Sequence, residues 1–444
     1  MSTLYNRLQA TAVDRPDHKA IIGCDGVEVC YQELIERVKQ FSLSLFSQLK
    51  KDVRPHVAVL MGNSIEQIVV TFALSRLNAV VVPLNPELKD EQVCQALSST
   101  AVGLVIVERG RLLSCGPTVQ VLPIETLISL SVEENVDFVI PPWNEGDTFL
   151  VTLSSGATGD PKPIMLSEQS KLKRAQQTWS LYDVSADDVV LNASPFFHSL
   201  GQRLTFVALL KGATLVLMDR FTPQRWIDTV VSAGVTFTIC VSSHLYALRE
   251  QLVSQGKRLH SLRTIVSSSA AIDKELKDYL FEQLGCAFYE IYGATEIAIA
   301  SNLEPRDASS KSASVGAPCR GVEVVILDDQ HQQLPVKEVG EIACRSALVF
   351  SGYLSQPEQT EAAHHQGYFL TGDLGYLDEE GYLYFVSRKK DMIISGGSNI
   401  YPLDIETVIL EHASISECAV IGIKDSYLGE AIIAVCVWQQ SEEQ

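Results

Sequence analysis

The sequence predicts an α/β protein: a large N-terminal domain of two layered α/β subdomains with mostly parallel sheets and a small barrel-like subdomain, then a partial small α+β domain. Three observations lead there. Short, continuous apolar runs alternate with helix-like segments over most of the chain, the pattern of parallel sheets covered on both faces. From about Val315 the texture changes to short strands punctuated by turn signals. Hydrophobic residues make up 46% of the 444 positions against 20% charged, enough apolar material for a sizeable core.

In chain order, His56–Met61 (HVAVLM) and Ala79–Pro83 (AVVVP) read as buried strands, and Ser64–Arg76 between them has helical length and spacing. Val102–Val107, Thr148–Leu153, Val189–Asn192, Ala213–Met218 and Val235–Val241 continue the strand series. Val322–Leu327, Glu341–Cys344 and Gly381–Phe385, the last after Asp378-Glu-Glu, read as antiparallel strands or a small barrel. A basic cluster, Arg388-Lys-Lys-Asp391, and the pair Gly396-Gly397 follow. Leu403–His412 then reads as a helix, and Ala419–Ile423 and Ala431–Val437 as strands. The boundary between the large and small domains is expected near Ser387–Asp391. No internal repeat or low-complexity tract interrupts this order.

Lys plus Arg number 35 and Asp plus Glu 54, a net charge of −19. That balance argues against a nucleic-acid partner, whose phosphates require clustered cations, but not against a small anion held by a few donors. The ten cysteines include no C-x-x-C pair and the nine histidines no H-x-x-x-H pair, so reduced thiols are expected rather than a disulfide framework or zinc site. The N-terminus meets acidic and proline residues before any long apolar run, unlike a secretory signal. No segment reaches the roughly 18 apolar residues of a membrane span, and a cytoplasmic location is expected.

The most informative segment is Leu153-Ser-Ser-Gly-Ala-Thr-Gly-Asp-Pro-Lys162, between the strand Thr148–Leu153 and a helix expected to begin near Ser167. Small and hydroxylated residues let backbone approach a polyphosphate, with Ser154, Ser155 and Thr158 as donors. Gly156 and Gly159 permit turns closed to other residues, and Lys162 adds a mobile charge. The G-K-[ST] ending of a Walker A loop is absent. A plain Gly/Ser surface turn is the competing reading of the composition.

This segment resembles the signature of the acyl-adenylate-forming superfamily, which includes acyl- and aryl-CoA synthetases, peptide-synthetase adenylation domains and luciferases. Further motifs follow in the family's order: Pro195-Phe-Phe-His198, Ser267-Ser-Ser-Ala-Ala-Ile272, Tyr292-Gly-Ala-Thr-Glu296, Gly352-Tyr353, Tyr368-Phe-Leu-Thr-Gly-Asp373, Arg388-Lys-Lys-Asp391 and Gly396-Gly-Ser-Asn-Ile-Tyr-Pro402. The resemblance implies attack of a carboxylate on the α-phosphate of ATP, release of pyrophosphate, and transfer of the acyl group from acyl-AMP to a thiol. Two anions must meet, so aimed donors and cations are needed.

On that resemblance, Thr295 donates to the α-phosphate, Glu296 helps hold Mg²⁺, and Lys162 joins Ser154, Ser155, Gly156, Thr158 and Gly159 around the phosphates. The alternative for Glu296 is a carboxylate stabilising a helix start. Ser269 and Ala270 belong to the segment lining adenine, and Tyr292 is expected to stack near it. Asp373 and Arg388 would hold the ribose hydroxyls; their bland alternatives are a turn aspartate and a solvated cation. Asp391 falls at the family's hinge, giving an expected division into a large domain 1–387, a hinge 388–391 and a small domain 392–444. Gly396 and Gly397 would border a tunnel for the thiol of CoA or phosphopantetheine.

Phe197 and His198 fall where related ligases keep an aromatic/histidine pair beside the acid. No acidic residue lies between Ala193 and Val216, which counts against an α-amino acid, and Phe196, Phe197, Leu200 and Phe206 favour a fatty or aromatic one. Arg203 can pair with a second carboxylate on the acid or be a surface arginine. The Gly-Gly-Ser-Asn-Ile-Tyr-Pro stretch looks more like CoA ligases, although acyl-AMP ligases that load a carrier protein share part of it. Only 53 residues follow Asp391, and their one lysine, Lys424, lies too early for the lysine the family uses during adenylation. The small domain therefore reads as partial, and a nucleotide-binding module with weak catalysis stands as the alternative to an enzyme.

Overall fold

The computed structural model of the chain describes residues 2–49, 54–129, 144, 146–154, 161–270, 272–395, 398–410, 412, 414–425 and 428–438. Two large sheets form its frame. A six-stranded sheet runs in the order Gln120–Pro123, Leu104–Val107, His56–Leu60, Val80–Leu84, Thr148–Leu153, Pro163–Ser167, parallel except for its last pair. A nine-stranded sheet runs Ala317–Pro318, Ala298–Leu303, Ala287–Ala294, Thr264–Ser268, Phe237–Val241, Val189–Asn192, Thr214–Leu217, Lys19–Ile22, Glu28–Cys30. Its centre is parallel, and antiparallel strands close both ends.

The largest apolar cluster joins residues of both sheets, such as Val57, Val81 and Leu150 with Val190, Leu215 and Phe237, to the helices between them. Those helices include Tyr31–Gln48, Ile65–Arg76, Glu168–Tyr182 and Ser199–Lys211. Ser64 starts the second of these by accepting from the Gln67 amide at 3.2 Å. Separate clusters bury the outer faces, with Trp226, Leu245 and Leu276 over the nine-stranded sheet and Val93 and Leu97 over the six-stranded one. Both sheets are thus covered on both faces, which is why their central strands read as continuous apolar runs.

An antiparallel sheet follows, ordered Val322–Leu327, Gly340–Ser346, Tyr368–Leu377, His364–His365, with Leu383–Arg388 also on the third strand. The last sheet orders Ser398–Ile400, Ile393–Ser395, Gly429–Trp438, Ile415–Asp425. The helix Pro402–Leu410 precedes its longest hairpin.

One expectation needs correction. Cys94, in the helix Asp90–Ser99, is disulfide-bonded to Cys115, while eight other cysteines are free. The spacing of 21 residues carries no local signature; the fold brings the two together. The helix expected near Ser167 starts at Glu168 with Ser167 as its N-cap, and a strand not read from the sequence, Pro163–Ser167, precedes it. No helix among the described residues is long and apolar enough to cross a membrane.

Candidate active site

Three of the motif segments leave the carboxyl ends of parallel strands in the nine-stranded sheet, the edge where open α/β sheets bind ligands. Pro195–His198 follows Val189–Asn192, Ser269–Ala270 follows Thr264–Ser268, and Thr295–Glu296 follows Ala287–Ala294.

Thr295 and Glu296 occupy the tip of a β-hairpin between Ala287–Ala294 and Ala298–Leu303, not a helix start, so a dipole role for Glu296 falls away. The hairpin requires glycine at position 293, where a Cβ would lie 1.9 Å from the Ala298 carbonyl oxygen. Thr295 Oγ1 donates to Ser199 Oγ at 3.1 Å, tying the tip to the first turn of Ser199–Lys211. Glu296 Oε1 accepts from the Tyr353 hydroxyl at 3.1 Å. No donor among the described residues reaches its other oxygen.

Asp373 sits inside the strand Tyr368–Leu377 rather than in a turn, directly opposite Arg388 on the neighbouring strand. Its Oδ1 lies 3.5 Å from Arg388 Nε, and its Oδ2 accepts from the Tyr292 hydroxyl at 2.8 Å. Burial pushes the Asp373 carboxyl above its ordinary value, and the Arg388 charge and the Tyr292 hydrogen bond oppose that shift. Burial likewise keeps Tyr292 protonated and able to donate. Arg388 itself is exposed, its guanidinium open to a further partner.

Ser154 and Lys162 close the neck of the glycine-rich segment. The Ser154 amide donates to the Lys162 carbonyl at 3.0 Å, and the Lys162 amide to Ser154 Oγ at 3.2 Å. Ser154 and Lys162 thus adjoin two antiparallel strands of the six-stranded sheet, Thr148–Leu153 and Pro163–Ser167. Lys162 Nζ stands 5.1 Å above the Tyr353 ring, bringing the loop's cation to the residue that contacts Glu296. Ser155, Gly156, Thr158 and Gly159 lie outside the described residues, as do Gly396 and Gly397.

His198 precedes the helix Ser199–Lys211, with its ring 4.4 Å from that of Phe197. Partial enclosure holds its pKa below the ordinary histidine value, favouring neutral imidazole at neutral pH. Ser269 and Ala270 are exposed at the sheet edge, and Ser269 has φ +83°. Asp391 is exposed in a turn whose amide donates to the Arg388 carbonyl at 3.0 Å.

Several residues escaped the reading of the sequence. Lys171 and Arg174, both buried, lie on the helix Glu168–Tyr182. Lys171 donates to Gln202, and Arg174 donates to the Thr295, Glu296 and Leu348 carbonyls. Burial, reinforced by Arg203, lowers Arg174 to about 9, and burial with Arg174 and Arg203 drives Lys171 down. Arg203 is thus no outer-surface arginine; it is half-buried beside two other cations. Lys171 and Arg174 carry no local sequence signal, because the helix Glu168–Tyr182 is rich in polar residues throughout.

The oxygen-rich tip fits Mg²⁺ without a preformed cage. Among the described residues no cluster of three or more His, Cys, Asp or Glu gathers. Mg²⁺ in nucleotide sites is commonly held by one or two carboxylates together with phosphate oxygens and water, which Glu296 can satisfy.

The comparisons with known proteins agree with this geometry. The AMP-binding enzyme family matches residues 8–354, and the AMP-binding enzyme C-terminal domain matches 404–444. An indoleacetate–CoA ligase of Aromatoleum aromaticum is 32% identical over 400 residues, covering 86% of this chain and 78% of its own. A 2-succinylbenzoate–CoA ligase of a Geobacillus species is 29% identical over 434 residues, covering 97% and 86%. The o-succinylbenzoate CoA synthetase (MenE) of Bacillus subtilis, solved with its acyl-adenylate intermediate, superimposes with a TM-score of 0.89 at 27% identity, covering 99% of this chain and 89% of that one. The same synthetase has also been solved with ATP and a magnesium ion, again at a TM-score of 0.89. The chain is a member of the AMP-binding enzyme family.

Proposed function

We propose that the chain joins a fatty or aromatic carboxylic acid to CoA through an acyl-AMP intermediate, with ATP and Mg²⁺ as co-substrate and cofactor. The observation that carries this reading is the convergence of Tyr292, Asp373 and Arg388 with Thr295 and Glu296. A ribose needs an acceptor for neighbouring hydroxyls, and Asp373 offers a buried carboxylate already oriented from two sides. Arg388 lies opposite as the second ribose contact, and Tyr292 borders the adenine together with Ser269 and Ala270. A carboxylate attacking the α-phosphate builds charge on phosphate oxygens, and Thr295, Lys162 and Ser154 would serve as donors to that charge. Glu296 would hold Mg²⁺, which would supply positive charge against the phosphates. His198 and Phe197 border the acid in this reading, and a neutral His198 suits an uncharged, apolar body on the substrate.

The relatives named for indoleacetate and 2-succinylbenzoate act on acids that carry an aromatic ring, and both are CoA ligases. That supports an aromatic acid and CoA rather than a carrier-bound pantetheine. The division into 1–387, a hinge at 388–391 around Asp391, and 392–444 belongs to the same proposal. Its support is that the strand Leu383–Arg388 pairs within the third sheet and Ile393–Ser395 within the fourth. Dependence on ATP and CoA supports a cytoplasmic place of action.

The test is incubation with ATP, Mg²⁺ and a panel of fatty, aryl, dicarboxylic and amino acids, reading acyl-AMP by mass spectrometry and then adding CoA. Acyl-AMP from an aryl or fatty acid, consumed on adding CoA, is the expected result. Acyl-AMP from amino acids alone, or no adduct with any acid, would overturn it.

A further inference from the structure

The motif Gly352-Tyr353 and the buried Arg174 have no part in the reaction described above, yet both converge on Glu296. We propose that Arg174 and Tyr353 are positioning residues that brace Glu296 from two sides, so that its carboxylate meets the ATP-bound magnesium ion already ordered. This rests on the reading of the chain as an ATP-dependent ligase.

Arg174 grips the backbone. Its Nη1 donates to the Thr295 carbonyl at 2.7 Å and its Nη2 to the Glu296 carbonyl at 3.0 Å. The same Nη2 and the Nε reach the Leu348 carbonyl at 2.6 and 3.1 Å. The Phe350 amide completes the junction by donating to the Glu296 carbonyl at 2.7 Å. One planar fork thereby fastens the hairpin tip to the Leu348–Phe350 segment, a geometry that the single ammonium of a lysine does not reproduce. All of these acceptors are neutral carbonyls, and among the described residues Arg174 makes no ion pair. A guanidinium buried without a hydrogen-bonded carboxylate is costly. A turn that must keep one shape is a physical reason to retain it.

Tyr353 grips the side chain. Its own backbone is fixed by a bridge to Ile164, by its amide donating to Thr360 Oγ1 at 2.9 Å, and by the Leu354 amide donating to the Pro163 carbonyl at 2.8 Å. Gly352 precedes it at φ +117°, where a Cβ would meet Thr360 Cγ2 at 2.9 Å. The ring is buried and packs edge-on against Phe350 at 4.8 Å. The hydroxyl thus occupies a set position, ties one oxygen of Glu296 and leaves the other for a ligand. Groups that orient a metal ligand in this way typically govern metal affinity by about 10–100-fold.

The experiment measures ATP binding to the full chain by calorimetry, with Mg²⁺ and with chelator, for wild type, Tyr353→Phe and Arg174→Lys. The expected result is that Mg²⁺ tightens ATP binding in the wild type and that both variants lose most of that gain. Their apparent Mg²⁺ affinity should fall about 10–100-fold, with Mg²⁺-free ATP binding within about twofold of wild type. A purely structural role would weaken both conditions alike and would overturn the brace. Full retention of the Mg²⁺ gain in Tyr353→Phe would also overturn it, including where Arg174→Lys fails to fold and only Tyr353→Phe decides. Absence of ATP binding by the wild type would overturn the ligase reading itself.

Discussion

The Tyr292 hydroxyl donates to Asp373 across 2.8 Å, joining two motifs that stand 81 residues apart in the chain. Tyr292 lies in the strand Ala287–Ala294 of the nine-stranded sheet and Asp373 in the third sheet, so this bond also links two sheets. It has consequences for nucleotide binding that can be measured.

Asp373→Asn should weaken AMP binding about 10–100-fold, the worth of a charged hydrogen-bond acceptor. Because burial raises the Asp373 carboxyl above its ordinary 3.8, wild-type AMP affinity should fall off at a higher pH than for an ordinary aspartate. Tyr292→Phe removes a bond that lowers this pKa and should move the acid limb to still higher pH. Calorimetric titration of AMP across pH checks both, and an acid limb unmoved in Tyr292→Phe would count against the assignment.

Glu296→Gln keeps the size of the side chain and removes its charge. Acyl-AMP formation should drop by roughly 10²–10³, the scale seen when a transition-state charge partner is lost. Binding of ATP in the presence of chelator should persist. The rate of acyl-AMP formation at saturating ATP, followed against Mg²⁺ concentration, separates the two effects.

Glu168 predicts a stability effect far from the chemistry. Its buried carboxylate accepts from Ser2 Oγ, Ser75 Oγ and the Thr3 and Leu4 amides, seating the start of the helix Thr3–Asp14. Glu168→Ala strands these donors and should cost about 3 kcal/mol. Burial raises the carboxyl above its ordinary 4.5, against those hydrogen bonds. A folded value above the unfolded one contributes stability below the unfolded pKa, and that stability is lost as pH rises through the folded pKa. Thermal melting of Glu168→Gln should therefore show a flatter dependence than wild type from pH 4.5 upward. Parallel curves would disprove the linkage.

Ser269 holds φ +83°, a left-handed conformation that costs residues with a Cβ about 1 kcal/mol. Ser269→Gly should raise the unfolding free energy by up to about that amount, read from the denaturant midpoint. A lower midpoint would show that the serine hydroxyl compensates for its backbone.

The strands Thr148–Leu153, Val189–Asn192 and Val322–Leu327 were legible to the residue because strand burial writes itself into consecutive apolar positions. Ser154, Lys162, Thr295, Glu296 and Asp373 could be singled out because each belongs to a short motif of fixed local spacing. The short strand Pro163–Ser167 was not, since its partner on one side is the antiparallel Thr148–Leu153 and on the other the distant Tyr353.

Local pattern along the chain is enough to give the α/β class, the order of the motifs and hence the family. Tertiary structure alone decided that Arg174 fastens the Glu296 turn, that Tyr353 aligns its carboxylate, that Arg203 faces two cations, and that Cys94 meets Cys115. Each is a contact between segments separated along the chain, with no local sequence signature. Only the packing of the helix Glu168–Tyr182 against the hairpin tip turns an ordinary arginine into a structural clamp.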